Sequence, residues 1–401
     1  MVTVAPDPAD PSTLGDGTLS VHVGNSMDPA SGAVRTPLTL SNSYALPYDP
    51  REVDWTVTDQ LLYTRVSGIN QLALQRKLAA LEHAEDAVVL ASGVAATHAV
   101  LFTYLNSGDH VVVSREVYEA TYNLFVELLP RKYGITADLV DITDLDAVRA
   151  AMRPETRFIF TETIANPTTT IADLPALGEL ARAHGALLVV DATYTPPPRF
   201  RALEHGADLV VHSLTKYING HGDALGGVVV GRTSLIDPIK QQAMVDVGGV
   251  ISPFNAWLIQ RGTSTLPLRL ERVIQTAQTV AEWLESDSRI EWVRYVGLDA
   301  HPQRHLARQM FPAGATGMLA FAPTGGPDRF NAFVARLRLI ANATSFGHDE
   351  TLIVHVGASG VRQDLYGEPF TATGTLRLSI GLENAADLIA DLDQALAATE
   401  A

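Results

Sequence analysis

The sequence predicts an α/β fold: a mostly parallel central sheet covered by helices on both faces, followed by a smaller α+β domain. Three observations carry this. From about residue 70 to 231, short runs apolar at every position alternate with amphipathic segments. Strands apolar on both faces belong in a sheet buried on both sides, and the helices between them are the crossovers of parallel strands. Second, 401 residues with 46% hydrophobic content are enough for two or three domains with substantial cores. Third, the pattern changes after Pro253, where strand-like and helical stretches mix without strict alternation.

The predicted strands of the first region are the runs Ala87–Leu90, Val111–Val113, Phe158–Phe160, Leu187–Val190, Leu209–Val211 and Val228–Val230. The predicted helices are Leu72–Leu81, Tyr118–Tyr133, Leu145–Met152 and Leu174–His184. The uncharged stretch Ala87–Leu105 approaches the length of a membrane span, but Ser92-Gly93 divides it into a strand and a helix. Ser252-Pro253 has the form of a helix start, and a long helical tract runs through Ala277–Leu284. Beyond it come strands at Met318–Phe321, Leu352–Val354 and Leu376–Ile380, with helices at Arg329–Leu337 and Asn384–Ala398. The expected division is an N-terminal arm and extension over 1–60, an α/β domain over 61–252 and an α+β domain over 253–401. Met1–Gly17, rich in Pro and Asp, reads as a mobile arm.

Composition narrows the function. A net charge of −16 without a basic cluster argues against general binding to nucleic acid or anionic membrane. The absence of cysteine excludes disulfides, thiolate catalysis and cysteine metal sites. No secretory signal is visible, so a cytoplasmic location is expected. His301 and His305 have helical spacing but no supporting ligand pattern, and no metal is expected.

In open parallel sheets, ligands bind beyond the carboxyl ends of the strands, so the residues that follow each apolar run are read together. Lys216 follows Leu209–Val211, between two hydroxyls (Ser213, Thr215) and the glycine-rich Gly220–Gly227. A lysine at the end of a buried strand is costly unless used. Desolvation lowers its pKa and frees its amine as a nucleophile. Hydroxyls beside it suit a phosphate, and a phosphorylated aldehyde, pyridoxal phosphate, is the leading cofactor candidate. The other strand ends fit the same ring. Asp191 would pair with its nitrogen, Gly93 and Val94 would offer helix N–H groups to its phosphate, and Tyr118 would stack on its face. Asn166 would bond its oxygen or a substrate carboxylate. Arg377, on an otherwise apolar strand, would grip an α-carboxylate with two parallel bonds. Each has a plainer reading: strand-end cap, ordinary turn, packing, or solvent-facing side chain. Their convergence points to one cofactor and one amino-acid substrate.

Ser213-Leu214-Thr215-Lys216-Tyr217 with Gly220-His221-Gly222-Asp223, together with Glu162–Thr168, Asp191-Ala192-Thr193, Ser252-Pro253-Phe254 and Leu376–Glu383, resembles the Cys/Met-metabolism family of pyridoxal-phosphate enzymes. That family includes cystathionine γ-synthase, cystathionine γ-lyase, methionine γ-lyase and O-acetylhomoserine sulfhydrylase. The likeness runs from Leu19 to Ala398 and implies the fold of the type I aminotransferases. It implies that Lys216 bonds the cofactor and later shuttles protons, assisted by Asp191 and Tyr118. Ser213, Thr215, Gly93, Val94 and Thr193 would be cofactor contacts. Tyr63 and Arg65 would reach the phosphate of a neighbouring subunit, in a homotetramer built from two dimers. Asn166, Thr344, Ser345 and Arg377 would meet the substrate. The pattern departs at Val66–Asn70, at Glu119-Ala120 where glycines are common, at Val94 for a frequent methionine, at Thr344 for a glutamate, and at His348-Asp349. The cofactor machinery is therefore expected intact and the side-chain pocket altered. The implied reaction is γ-replacement or γ-elimination on a homoserine-ester-, cystathionine- or methionine-like amino acid. β-Elimination, a sulfhydrylase-type transfer and a non-catalytic homologue remain as alternatives. A dinucleotide-binding oxidoreductase is disfavoured because Gly220-His221-Gly222 lacks the required spacing.

Overall fold

Seven strands form one sheet in the computed structural model, which describes residues 11–54, 58–356 and 365–399. They are β1 (Asp86–Leu90), β2 (His110–Ser114), β3 (Thr136–Val140), β4 (Thr156–Glu162), β5 (Leu187–Asp191), β6 (Leu209–Ser213) and β7 (Gly227–Gly231). Their spatial order is β1-β7-β6-β5-β4-β2-β3. β7 runs antiparallel to both its neighbours, β1 and β6; the remaining pairings are parallel. The carboxyl ends of β1, β2, β4, β5 and β6 therefore open on one edge.

All six predicted apolar runs lie in strands, and burial explains why they read so plainly. Val89, Val112, Ile159, Leu188 and Val210 are buried on one face of the sheet, and Val88, Val111, Phe160, Val189 and Val211 on the other. Fully burying one such side chain contributes about 1.5–3 kcal/mol. The seventh strand, β3, was not foreseen. It is an edge strand with a half-exposed pattern, so Thr-Ala-Asp-Leu-Val needs no continuous apolar run.

Helix starts follow local chemistry. Ser92 accepts the Ala95 N–H at 3.1 Å, Asp173 the Ala176 N–H at 3.2 Å, and Ser252 the Asn255 N–H at 3.1 Å. The helix expected over Tyr118–Tyr133 is not uniform: a wide π turn, Leu124–Leu128, separates Glu119–Asn123 from Leu129–Tyr133. Pro130 supplies the reason, because it has no N–H to give the carbonyl four residues back and its ring crowds that carbonyl. The stretch Ala87–Leu105 is β1 plus the helix Gly93–Tyr104. Among the described residues no helix is long and apolar enough to cross a membrane.

The helix Leu266–Ser286 leads to a second sheet of five strands. These are β8 (Ile290–Arg294), β9 (Met318–Pro323), β10 (Ala341–Asn342), β11 (Leu352–Val356) and β12 (Thr375–Ser379), in the order β10-β11-β12-β9-β8. The core on one face of the large sheet continues without a break into Leu319, Phe321, Ile353, Leu376 and Leu378. The predicted C-terminal helix is present as Ala385–Ala397, and that near 330 runs from Pro327 to Val334.

The expectation of a mobile arm over Met1–Gly17 needs correction at its end. Residues 1–10 lie outside the described residues, but Asp16–His22 is a helix fixed to the body. Leu19 is buried, Lys77 Nζ donates to the Ser20 carbonyl at 2.7 Å, and Asp16 pairs with Arg201.

Candidate active site

The strand ends open onto a cavity of about 510 Å³, and the far wall is supplied by residues 344–346 and by Arg377 on β12. Lys216 sits in the turn after β6. Its Nζ donates to Ser345 Oγ at 2.6 Å and lies 4.8 Å from the centre of the Phe346 ring. Burial, and then the positive charge of Arg377, bring its pKa from 10.5 down to about 8. A sizeable fraction is thus neutral amine near neutral pH, able to act as nucleophile or base.

Arg377 meets only neutral acceptors. One nitrogen donates to Asn166 Oδ1 at 3.3 Å and another to the Ser345 carbonyl at 2.7 Å, while Nε is buried without an acceptor. A guanidinium in this state is prepared for a carboxylate guest. Ser345, between the two cations, holds the left-handed φ of +80°, a conformation that costs a non-glycine residue about 1–3 kcal/mol and is kept only where surroundings enforce it. The enforcement is visible. Gly347 donates to Ser379 Oγ at 2.9 Å, and His348 Nε2 lies 3.2 Å from Ser345 Oγ. A Cβ on Gly347 would stand 2.7 Å from the Tyr217 backbone nitrogen.

Asp191 ends β5. Its Oδ1 accepts the Thr193 N–H at 2.9 Å and the Thr193 hydroxyl, whose oxygen in turn accepts the Ser213 N–H at 2.9 Å. The ends of β5 and β6 are pinned together this way. Burial nevertheless raises the carboxyl pKa, outweighing the Thr193 bonds; a cation placed against it would reverse that. Across the cavity, Ser92 caps the helix Gly93–Tyr104 and leaves the Gly93 and Val94 N–H groups without intrahelical acceptors. A Cβ at Gly93 would come within 2.7 Å of Ser213 Cβ, so glycine lets this helix end and the Ser213 hydroxyl form one cradle. Thr215 Oγ1 accepts the Gly226 N–H at 3.3 Å.

Tyr118 borders the cavity half-exposed, held by its N–H donating to Glu162 Oε1 at 2.6 Å. Thr344 and Asn166 also line it. Tyr63 and Arg65 do not. Arg65 donates to the Val245 carbonyl at 2.8 Å and lies 5.5 Å from the Tyr63 ring centre, at the surface of this chain. Three neighbours had no assigned role in the sequence: Glu162, which fixes Tyr118; Phe346 beside Lys216; and Tyr194, whose buried hydroxyl has no acceptor and whose ring meets Phe346 edge-on at 4.7 Å. Their motifs were visible, but not which way each side chain turns. His301 is occupied structurally, by Thr169 at 3.2 Å and the Gln303 N–H at 3.2 Å.

A phosphorylated pyridine aldehyde fits this set: an anion cradle, a largely desolvated carboxylate short of a cation, and a lysine of lowered pKa share a cavity of suitable size. The model of the family described as Cys/Met metabolism PLP-dependent enzyme matches residues 17–397. The chain belongs to this family. Members related to it include a canavanine γ-lyase of Pseudomonas canavaninivorans, 58% identical over 98% of both chains, and one of Rhizobium leguminosarum bv. trifolii at the same identity and coverage. An L-methionine γ-lyase of Pseudomonas putida is 38% identical over 96% of this chain and 98% of its own. The crystal structure of metB from Corynebacterium glutamicum superposes with a TM-score of 0.89 at 33% identity, covering 97% of this chain and all of that one. This Cys/Met-metabolism enzyme has the type I pyridoxal-phosphate fold, depends on pyridoxal phosphate, and acts on an amino acid by γ-elimination or γ-replacement.

Proposed function

We propose that this enzyme cleaves canavanine, the guanidinooxy analogue of arginine, between the γ-carbon and its oxygen. The observation that carries the reading is the much greater likeness to the canavanine γ-lyases than to the methionine γ-lyase, along nearly the whole chain. The altered loop His348-Asp349 beside Ser345 agrees with a side chain unlike methionine. Atoms balance in two ways. With one water, canavanine gives hydroxyguanidine and homoserine if the γ-carbon is hydroxylated. It gives hydroxyguanidine, 2-oxobutanoate and ammonia if the four-carbon fragment is hydrolysed instead.

In this reading Lys216 would carry the cofactor, Asp191 would pair with its ring nitrogen while Thr193 fixes the carboxylate, and Tyr118 would stack on its ring. Gly93, Val94, Ser213 and Thr215 would hold its phosphate. Pyridoxal phosphate, when bound, supplies an electron sink that makes the α- and β-protons labile and lets a γ-substituent depart. The chain's own residues do the rest. Arg377, braced by Asn166 and the Ser345 carbonyl, orients the α-carboxylate. Lys216 Nζ takes the α-proton and returns it at the neighbouring carbons, with the Tyr118 phenol within the same wall. Thr344 completes the substrate side. The enzyme acts in the cytoplasm as a homotetramer of two dimers, with Tyr63 and Arg65 serving the neighbouring subunit's phosphate; their surface position on this chain supports that arrangement.

The test is incubation of the purified holoenzyme with canavanine, methionine and O-acetylhomoserine, with hydroxyguanidine, homoserine and 2-oxobutanoate measured. Canavanine is expected to show the highest kcat/KM, and Lys216→Ala to abolish turnover. A higher kcat/KM on either other substrate overturns the reading.

A further inference from the structure

The acidic groups bordering the cavity differ in what they are free to do. Asp191 is engaged by Thr193, and Glu162 receives the Tyr118 N–H. Glu119, which follows Tyr118 in the chain, is exposed, borders the cavity, and its carboxylate has no hydrogen bond or ion pair among the described residues. Its backbone position is set by its neighbour, because Tyr118 is tied to Glu162 immediately before the helix Glu119–Asn123.

Charge makes such a group necessary. The cavity already contains the guanidinium of Arg377, which the α-carboxylate of a substrate would occupy. A substrate bearing a further cation at its other end is desolvated there at a cost unless a carboxylate receives it. We propose that Glu119 is the specificity residue that reads the cationic end of the substrate, pairing with the guanidinium of canavanine while Arg377 holds the opposite end. This rests on the functional reading given above.

The pairing also bears on the bond that breaks. An oxygen next to a guanidine withdraws electrons and makes it a weaker base than that of arginine. A carboxylate beside it favours the protonated form. When the Cγ–O bond breaks, its electron pair goes to oxygen. The positive charge already on the departing group offsets the new negative charge, so hydroxyguanidine leaves without net charge.

The experiment measures binding as well as turnover. Holoenzyme is titrated by calorimetry with arginine, which has the guanidinium but no γ-oxygen, and with norleucine, which has neither. The wild type is expected to prefer arginine. Glu119→Gln is expected to reduce the arginine-to-norleucine affinity ratio about ten- to hundredfold, and Glu119→Asp to retain part of it. An unchanged ratio in Glu119→Gln overturns the assignment. Canavanine cleavage by the wild type is assayed alongside. Cleavage with an unchanged ratio removes Glu119 and leaves the function standing. A Glu119-dependent ratio without cleavage keeps the cation site and removes canavanine as the substrate.

Discussion

The pKa of Lys216 can be tested on the cofactor-free protein, apart from catalysis. A fall from 10.5 to about 8 makes roughly a quarter of the side chains neutral at pH 7.5, against about one in a thousand for an ordinary lysine. Its reactivity toward an amine-acylating reagent is therefore expected to be about 200-fold above an exposed lysine at that pH, before any loss through restricted access. Burial is the larger cause and the Arg377 charge the smaller. Arg377→Gln should thus move the titration midpoint upward, though not to 10.5. The same shift corresponds to about 3 kcal/mol. Because the folded pKa lies below the unfolded one, that cost to the apoprotein is fully present below pH 8 and disappears as pH rises through 8 to 10.5. Competitive labelling across pH 6–11, read by peptide mass spectrometry at Lys216, measures the midpoint. A wild-type midpoint at 10 or above, or no upward movement in Arg377→Gln, refutes the reasoning.

Three further outcomes are expected. Asp191→Asn should lower kcat about 10²–10³-fold, yet stabilise the apoprotein relative to wild type. The native carboxyl is raised, so its burial cost grows as pH climbs out of the ordinary carboxylate range and then stays; melting curves of apo and holo forms across pH 4–8 check the opposite signs. Gly93→Ala drives a Cβ to 2.7 Å from Ser213, an overpacking of about 1–3 kcal/mol; cofactor affinity measured by absorbance titration should fall about tenfold or more. Arg377→Lys keeps the charge but loses the planar fork; KM should rise about tenfold or more with a smaller change in kcat, read from initial rates.

The large sheet was legible because its inner strands are apolar on both faces. Val111–Val113 or Leu209–Val211 can be nothing but buried, and the residues just beyond them share one edge by topology alone. What escaped lies at margins. β3 and β8 are edge strands, with one paired side each, and Thr136–Val140 or Ile290–Arg294 mix polar and apolar residues in place of a continuous apolar run. The π turn at Leu124–Leu128 follows from Pro130, but a helical periodicity absorbs a single wide turn without visible trace. In the site, Lys216, Asp191 and Arg377 were found as residue types in telling places. That Arg377 leans on the Ser345 carbonyl and Asn166, or that Glu162 is spent on the Tyr118 N–H, depends on rotamers and on segments meeting across 32, 211 and 44 positions of chain, respectively. No local pattern encodes such meetings.

The order in which the cavity wall is synthesised follows from its division between two sheets. Gly93, Asp191, Ser213 and Lys216 lie at or just beyond strand ends of a sheet whose last strand ends at Gly231, whereas Ser345 precedes β11 and Arg377 lies on β12 of the other sheet. A growing chain thus possesses every strand that shapes the anion cradle and the reactive amine well over a hundred residues before its guanidinium clamp is made. Translation arrested in that interval leaves a nascent chain that carries the reactive lysine and still lacks the serine and the arginine that surround it.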